Sequence, residues 1–202
     1  KSATGAGVGN DKDSKIDFGG FTYAFNGGVG SGSLTSNGFQ LLGGNVVLKN
    51  GTLKVADADA SEFYILVQNY TNLTVENMTL DGTNLDKWSK VQDNWDSYVL
   101  SNNSGTVTIT GATNITANND GDKAFAFDVC KYGSYAPPVV NVNTTGTIAG
   151  KIEVSSEIPT NLNISGGTFT VEIAEAWCAD GFIPVKNADD TWTVKVGKFI
   201  AQ

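Results

Sequence analysis

The segment Asn72-Leu-Thr-Val-Glu-Asn-Met-Thr-Leu80 recurs in altered copies along most of the chain. Asn45-Val-Val-Leu-Lys-Asn-Gly-Thr-Leu53 and Asn161-Leu-Asn-Ile-Ser-Gly-Gly-Thr-Phe169 repeat its shape. Thr106-Val-Thr-Ile-Thr-Gly-Ala-Thr113 does so with one extra residue before Ile115, and Val140-Asn-Val-Asn-Thr-Thr-Gly-Thr-Ile148 is a weaker echo. Each copy has two apolar residues in alternation, a turn of small residues, then Thr and usually another apolar residue. Alternation at period two gives a strand, and a small-residue turn followed at once by a second strand bends the chain at a corner instead of closing a hairpin. A corner repeated along a chain predicts a solenoid, in which each coil buries its apolar side only by stacking on the next.

The second positions of the copies, Val46, Leu73, Val107, Val140 and Leu162, lie 27, 34, 33 and 22 residues apart. Further strands are predicted at Tyr64-Ile-Leu-Val67, Tyr98-Val-Leu100, Ala124-Phe-Ala-Phe127 and Ile152-Glu-Val154. Ile65 to Leu73 and Val99 to Val107 are each eight residues, which predicts a shared register. Length varies in segments 56–63, 81–97, 117–123 and 131–138. The first three leave after the Thr-bearing strand, so they are expected to project from one side of the stack. Thr52, Thr79, Thr113 and Thr168 are expected to form one column at the strand spacing of about 4.8 Å. Asn45, Asn72 and Asn161 are expected to form another. Such ladders satisfy turn backbone groups and fix register.

With 202 residues, 24 of them Gly, the chain accommodates five to six short coils of an all-β solenoid. Residues 1–15 lack periodicity and read as a mobile leader, followed by the helix over 16–170 and a cap over 171–202 within the same domain. Val171-Glu-Ile-Ala-Glu-Ala-Trp-Cys178 has the composition of a short helix, and 182–196 reads as a β-hairpin. With Trp177 and Trp192 over the last coil, these elements would cover its open edge.

The net charge of −8 disfavours nucleic acid as a partner. The absence of His and Arg removes His-based triads and imidazole acid–base catalysis. No apolar run reaches membrane-spanning length. The chain begins at Lys1 without Met, as a mature or trimmed fragment would. Cys130 and Cys178 fit either a disulfide or two buried thiols.

Over residues 39–170, the repeated Asn-apolar-x-apolar-x-Asn/Gly-x-Thr units resemble the right-handed parallel β-helix of the pectin-lyase-like superfamily. The closing segment, Ile164-Ser-Gly-Gly-Thr-Phe-Thr-Val with Ala179-Asp-Gly-Phe and Asp190-Thr-Trp-Thr-Val, is similar to the ends of β-helical segments in adhesin-like surface proteins of anaerobic gut bacteria. The resemblance implies an exported or cell-surface module of single-stranded right-handed parallel β-helix fold. Lyases of that superfamily combine clustered Asp and Ca²⁺ with a basic Arg or Lys. Here Lys87, Lys90 and Lys123 lie in suitable loops, but no motif selects one. Its hydrolases need Asp motifs on adjacent coils, whereas Asp189-Asp190 falls in the expected hairpin turn, a common place for Asp.

The loops carry Asp57, Asp59 and Glu62, then Asp81, Asp86, Asp93 and Asp96, then Asp120, Asp122 and Asp128. Stacked loops would bring some of these carboxylates together, and Asp57, Asp59, Asp81 and Asp120 are candidate ligands for a hard cation such as Ca²⁺. The competing reading is a set of solvated acidic loops. Trp88, Trp95 and Tyr98, with Tyr132 and Tyr135, offer ring faces for stacking on sugars, and Asp81, Asp86, Asp93, Asp96, Asp120 and Asp122 can bond hydroxyls beside them. Rings folded against the helix wall are the alternative. The favoured expectation is a non-catalytic, adhesin-like, carbohydrate-binding module whose partner is a polysaccharide or host glycan. It requires no cofactor, with Ca²⁺ as an option. The alternatives are a β-helical lyase or hydrolase, and a structural spacer coil.

Overall fold

The computed structural model describes residues 2–9, 11–30, 35–56, 63–86, 88–89, 95–118 and 123–197. Its first strands are β1 (Ser2–Thr4), β2 (Ala6–Val8), β3 (Ser14–Asp17), β4 (Thr22–Gly27), β5 (Asn37–Leu41), β6 (Asn45–Val55) and β7 (Ile65–Asn69). Next come β8 (Asn72–Asp81), β9 (Trp88–Ser89), β10 (Trp95–Asn102), β11 (Thr106–Gly111), β12 (Asn114–Thr116) and β13 (Ala124–Val129). The chain continues through β14 (Val139–Thr144), β15 (Thr147–Ala149), β16 (Lys151–Val154), β17 (Leu162–Ile164) and β18 (Thr168–Phe169), and ends in β19 (Phe182–Lys186) and β20 (Trp192–Val196). No α-helix occurs among the described residues.

Parallel pairing sorts the coils into three stacks. The first holds β3, the front halves of β6 and β8, then β11, β14 and β17. The second holds β1, β4, the back halves of β6 and β8, then β12, β15 and β18. The third holds β2, β5, β7, β10, β13 and β16. The result is a right-handed parallel β-helix of about four turns. That is fewer than the five to six coils expected, because the end rungs are partial: β17 and β18 have three and two residues.

The apolar column read from the sequence is present, with Val46, Leu73, Val107, Val140 and Leu162 in successive register. In the second stack Leu53, Leu80, Ile115, Ile148 and Phe169 align and are fully buried. Val67, Leu100 and Phe127 do the same in the third. The core is therefore three columns of side chains meeting at the axis.

One corner is held by Asn50, Asn77 and Gly111, all in the left-handed region at φ 58, 52 and 64°. Asn tolerates that conformation better than most L-residues. Its amide also bridges rungs: Asn50 donates to Asp17 at 3.1 Å, Asn77 donates to Asn50 at 3.4 Å, and Asn77 accepts the Ala112 N–H at 2.9 Å. A side chain at Gly111 would place its Cβ 2.2 Å from Asn77 Oδ1, so that position requires Gly.

Five expectations are corrected. The leader, read as lacking periodicity, carries strands: β1, β2 and β3 pair with β4, β5 and β6, and Asp13 accepts the Asn45 side chain at 2.7 Å. Thr113 is outside the Thr column, which passes through Asn114 between Thr79 and Thr147, because the extra residue before Ile115 shifts it by one. The buried Thr113 hydroxyl instead accepts the Met78 N–H and donates to Thr110 O. Asn45 and Asn72 do ladder at 3.0 Å, but Asn161 bonds Pro138 O two rungs away from that pair. The eight-residue match is offset, since Ile65 pairs with Tyr98 and the later corner takes up one more residue around Gly105 at φ 83°.

The fifth correction concerns the cap. Its hairpin is present, with β20 antiparallel to both β19 and β18. Trp177 and Trp192 pack on the core. The expected helix is a single 3-10 turn at Glu175–Trp177, because a bridge between Ile164 and Cys178 holds its far end extended. Too few residues remain to meet the cost of helix nucleation.

Candidate functional site

Segments 56–63, 82–94 and 117–123 all connect the second stack to the third, so they leave at one corner as expected. Segment 131–138 connects the third stack to the first and leaves at the corner opposite. The outer face of the third stack thus lies between two sets of loops. A cavity of about 430 Å³ opens there. Its floor carries Gln68, Ser101, Asp128 and Glu153, one from each of four successive rungs. Asp96 and Lys123 stand on one wall, and Cys130, Lys131 and Tyr132 on the other. A second depression shares Cys130, Lys131 and Glu153 and extends the groove to Glu157.

Tyr98 lies at the centre. Its ring stacks on Phe125, the next rung's in-register partner, at 5.4 Å and 21°. Its hydroxyl donates to Glu153 Oε2 at 2.5 Å and lies 3.5 Å from Asp96 Oδ2. Burial, then the bond to Glu153, raise the phenol pKa so far that Tyr98 stays a donor. Asp96 also meets Lys123 at 4.0 Å. At the cavity wall Tyr132 stacks on Tyr135 at 6.3 Å and 22°; Tyr132 meets Tyr70 edge-on, and Tyr135 is tilted against it. Tyr132 and Tyr135 are 44% and 48% exposed, so part of each ring remains accessible.

Asp128 and Glu153 are in-register neighbours on β13 and β16, and Cys130 follows Asp128 at the two-residue spacing that returns to the same face. One donor atom from each of the three lies within 4.8 Å of the others. Asp128 is buried and its Oδ1 accepts the Asn102 N–H at 2.5 Å. Burial pushes its carboxyl up to about 8, partly offset by that bond and reinforced by Glu153. Burial, then the charges of Glu153 and Asp128, push the Cys130 thiol up to about 12. A thiol so protonated is a poor nucleophile.

The groove takes up Tyr98, Asp96 and Asp128 from the sequence-derived candidates, together with Lys123 and Tyr132. Asp81 does not converge: its Oδ1 caps a turn by accepting the Thr83 N–H and hydroxyl. The Asp86 amide ties its loop to Phe63 O at 2.7 Å, away from the groove lining. Trp88 pairs with Asp96, and Trp95 with Ser89, in a two-stranded ribbon in which β9 runs antiparallel to β10. Their rings lie outside the described residues, as do Asp57, Asp59, Glu62, Lys87, Lys90, Asp93, Asp120 and Asp122. Cys130 and Cys178 are both free thiols, each part-buried.

The Asp128–Cys130–Glu153 cluster went unread in the sequence, and Asp128 belongs to a strand instead of a loop. A signal was available. Aligning Phe127 with Ile152, the apolar residues of two predicted strands, places Asp128 beside Glu153. No protein family, curated protein or solved structure matches the chain.

Proposed function

We propose that this chain is a non-catalytic glycan-binding module of an exported, adhesin-like cell-surface protein. The observation that carries the reading is the groove on the third stack, where a polar floor lies beside half-exposed tyrosine faces. Saccharides present both apolar ring faces and hydroxyls. Stacking on Tyr132 and Tyr135, with hydrogen bonds from Gln68, Ser101, Asn103 and Lys131, matches both. Paired Asp96 and Lys123 leave the groove close to neutral, which suits a sugar more than a polyanion. No helix among the described residues is long and apolar enough to cross a membrane.

A polysaccharide-cleaving enzyme is the second reading, favoured by one observation: two neighbouring carboxyls, one of which keeps its proton to about pH 8. Against it, Asp128 is 5% exposed and spends an oxygen on Asn102, which leaves little access for a scissile bond. The test is retention on a panel of neutral and acidic polysaccharides, run beside an assay for newly released reducing ends. Tyr132→Ala is expected to lower retention about two- to tenfold, in line with loss of one stacking contact, with the β-sheet spectrum unchanged. Reducing-end release abolished by Glu153→Gln would make the protein an enzyme. No retention of any glycan would leave the spacer reading.

A further inference from the structure

We infer that Asp128, Cys130 and Glu153 form a site for a borderline-soft divalent cation such as Zn²⁺. The site stands apart from the hard-cation expectation for the loops, and it does not depend on the glycan reading. Two carboxylates and one thiol are a mixed oxygen and sulfur donor set, which suits Zn²⁺ better than Ca²⁺ or Mg²⁺. Their donor atoms lie within 4.8 Å of one another, against about 3.5 Å between ligands of a tetrahedral zinc ion. Closing that gap takes side-chain rotation of about an ångström, and Cys130 lies just past the end of β13, where the strand no longer fixes it.

The rest of the arrangement sets both carboxyls at the cavity. Asp128 is nine-tenths buried and lines the cavity, with its Oδ1 held by the Asn102 N–H. Among the described residues no ion pair within 4 Å reaches Glu153, although Lys131 lines the same cavity. Both carboxyls are oriented from behind, Asp128 by the Asn102 N–H and Glu153 by the Tyr98 hydroxyl. Such outer bonds fix ligands in metal sites. The cavity gives the ion a way in and leaves its fourth position facing solvent.

The experiment uses the full chain, stripped with chelator and titrated with Co²⁺, whose bond to a thiolate gives a near-ultraviolet charge-transfer band. One equivalent of Co²⁺ is expected to raise the band, and Zn²⁺ to remove it by displacement. Cys130→Ser is expected to abolish the band, and Cys178→Ser to leave it intact. Glu153→Gln is expected to weaken Zn²⁺ binding at least about tenfold by calorimetry, the scale of losing a zinc ligand or its support. The proposal is overturned by the absence of a band, by a band that survives Cys130→Ser, or by Zn²⁺ affinity unchanged in Glu153→Gln. Ca²⁺ bound at the same residues as tightly as Zn²⁺ would also overturn it. Should Cys130→Ser fail to fold, Glu153→Gln on the exposed side of the cluster still decides.

Discussion

Asn77 holds its corner in two ways, by accepting a left-handed backbone at φ 52° and by bonding the rungs on either side. Asn77→Ala loses both and should destabilise by about 1–2 kcal/mol in urea unfolding. Asn77→Gly keeps the backbone freedom and loses only the bonds, so it should fall between alanine and wild type. Turn-forming Asn was legible in the sequence, but the bridge to the neighbouring rung was not, because it depends on register. The same limit misplaced Thr113. Asp128 supplies a pH prediction. Its folded pKa, about 8, is above the unfolded value of 3.8, so the fold binds its proton more tightly than the unfolded chain. Its contribution to stability is complete below about pH 4 and is lost as pH rises through about 8. In chelator, the melting temperature of wild type should fall by several degrees more than that of Asp128→Asn between about pH 5 and pH 9. Parallel curves for the two proteins would contradict the assigned burial.

At the level of elements, the sequence was most readable where alternation was strict, as in β6, β8 and β11, whose inward residues are the ones expected. It was least readable at the start, where Ala6-Gly-Val8 carries too little apolar contrast to announce a strand, although β2 pairs fully with β5. In the cap, helix-like composition lost to an extended bridge. The hairpin of β19 and β20 covers the edge of β18 and buries Phe169 and Val194. Removing residues 180–202 should expose that edge and the apolar end of the stack. The shortened protein is expected to self-associate, seen as a concentration-dependent rise in light scattering. A monomeric, soluble truncated protein would show that the hairpin is dispensable.

For the molecule as a whole, the solenoid was legible because its signal is repeated, and the groove was not, because it is assembled from single residues of successive rungs. Tyr98, Asp128 and Glu153 are ordinary strand residues until three stacks bring them together. The cap also gives the stack a direction. Among the described residues β1, β2 and β3 have strand partners on one side only, while β18 is closed by a strand running the opposite way. In genetic terms, a tandem duplication of the rung formed by β6 and β7 would lengthen the stack by one strand spacing, about 4.8 Å. The added rung would carry the N-terminal edge farther from the groove and leave the groove's own rungs as neighbours. Length and recognition can therefore evolve separately in this chain, one by copying rungs and the other by substitution on a single face.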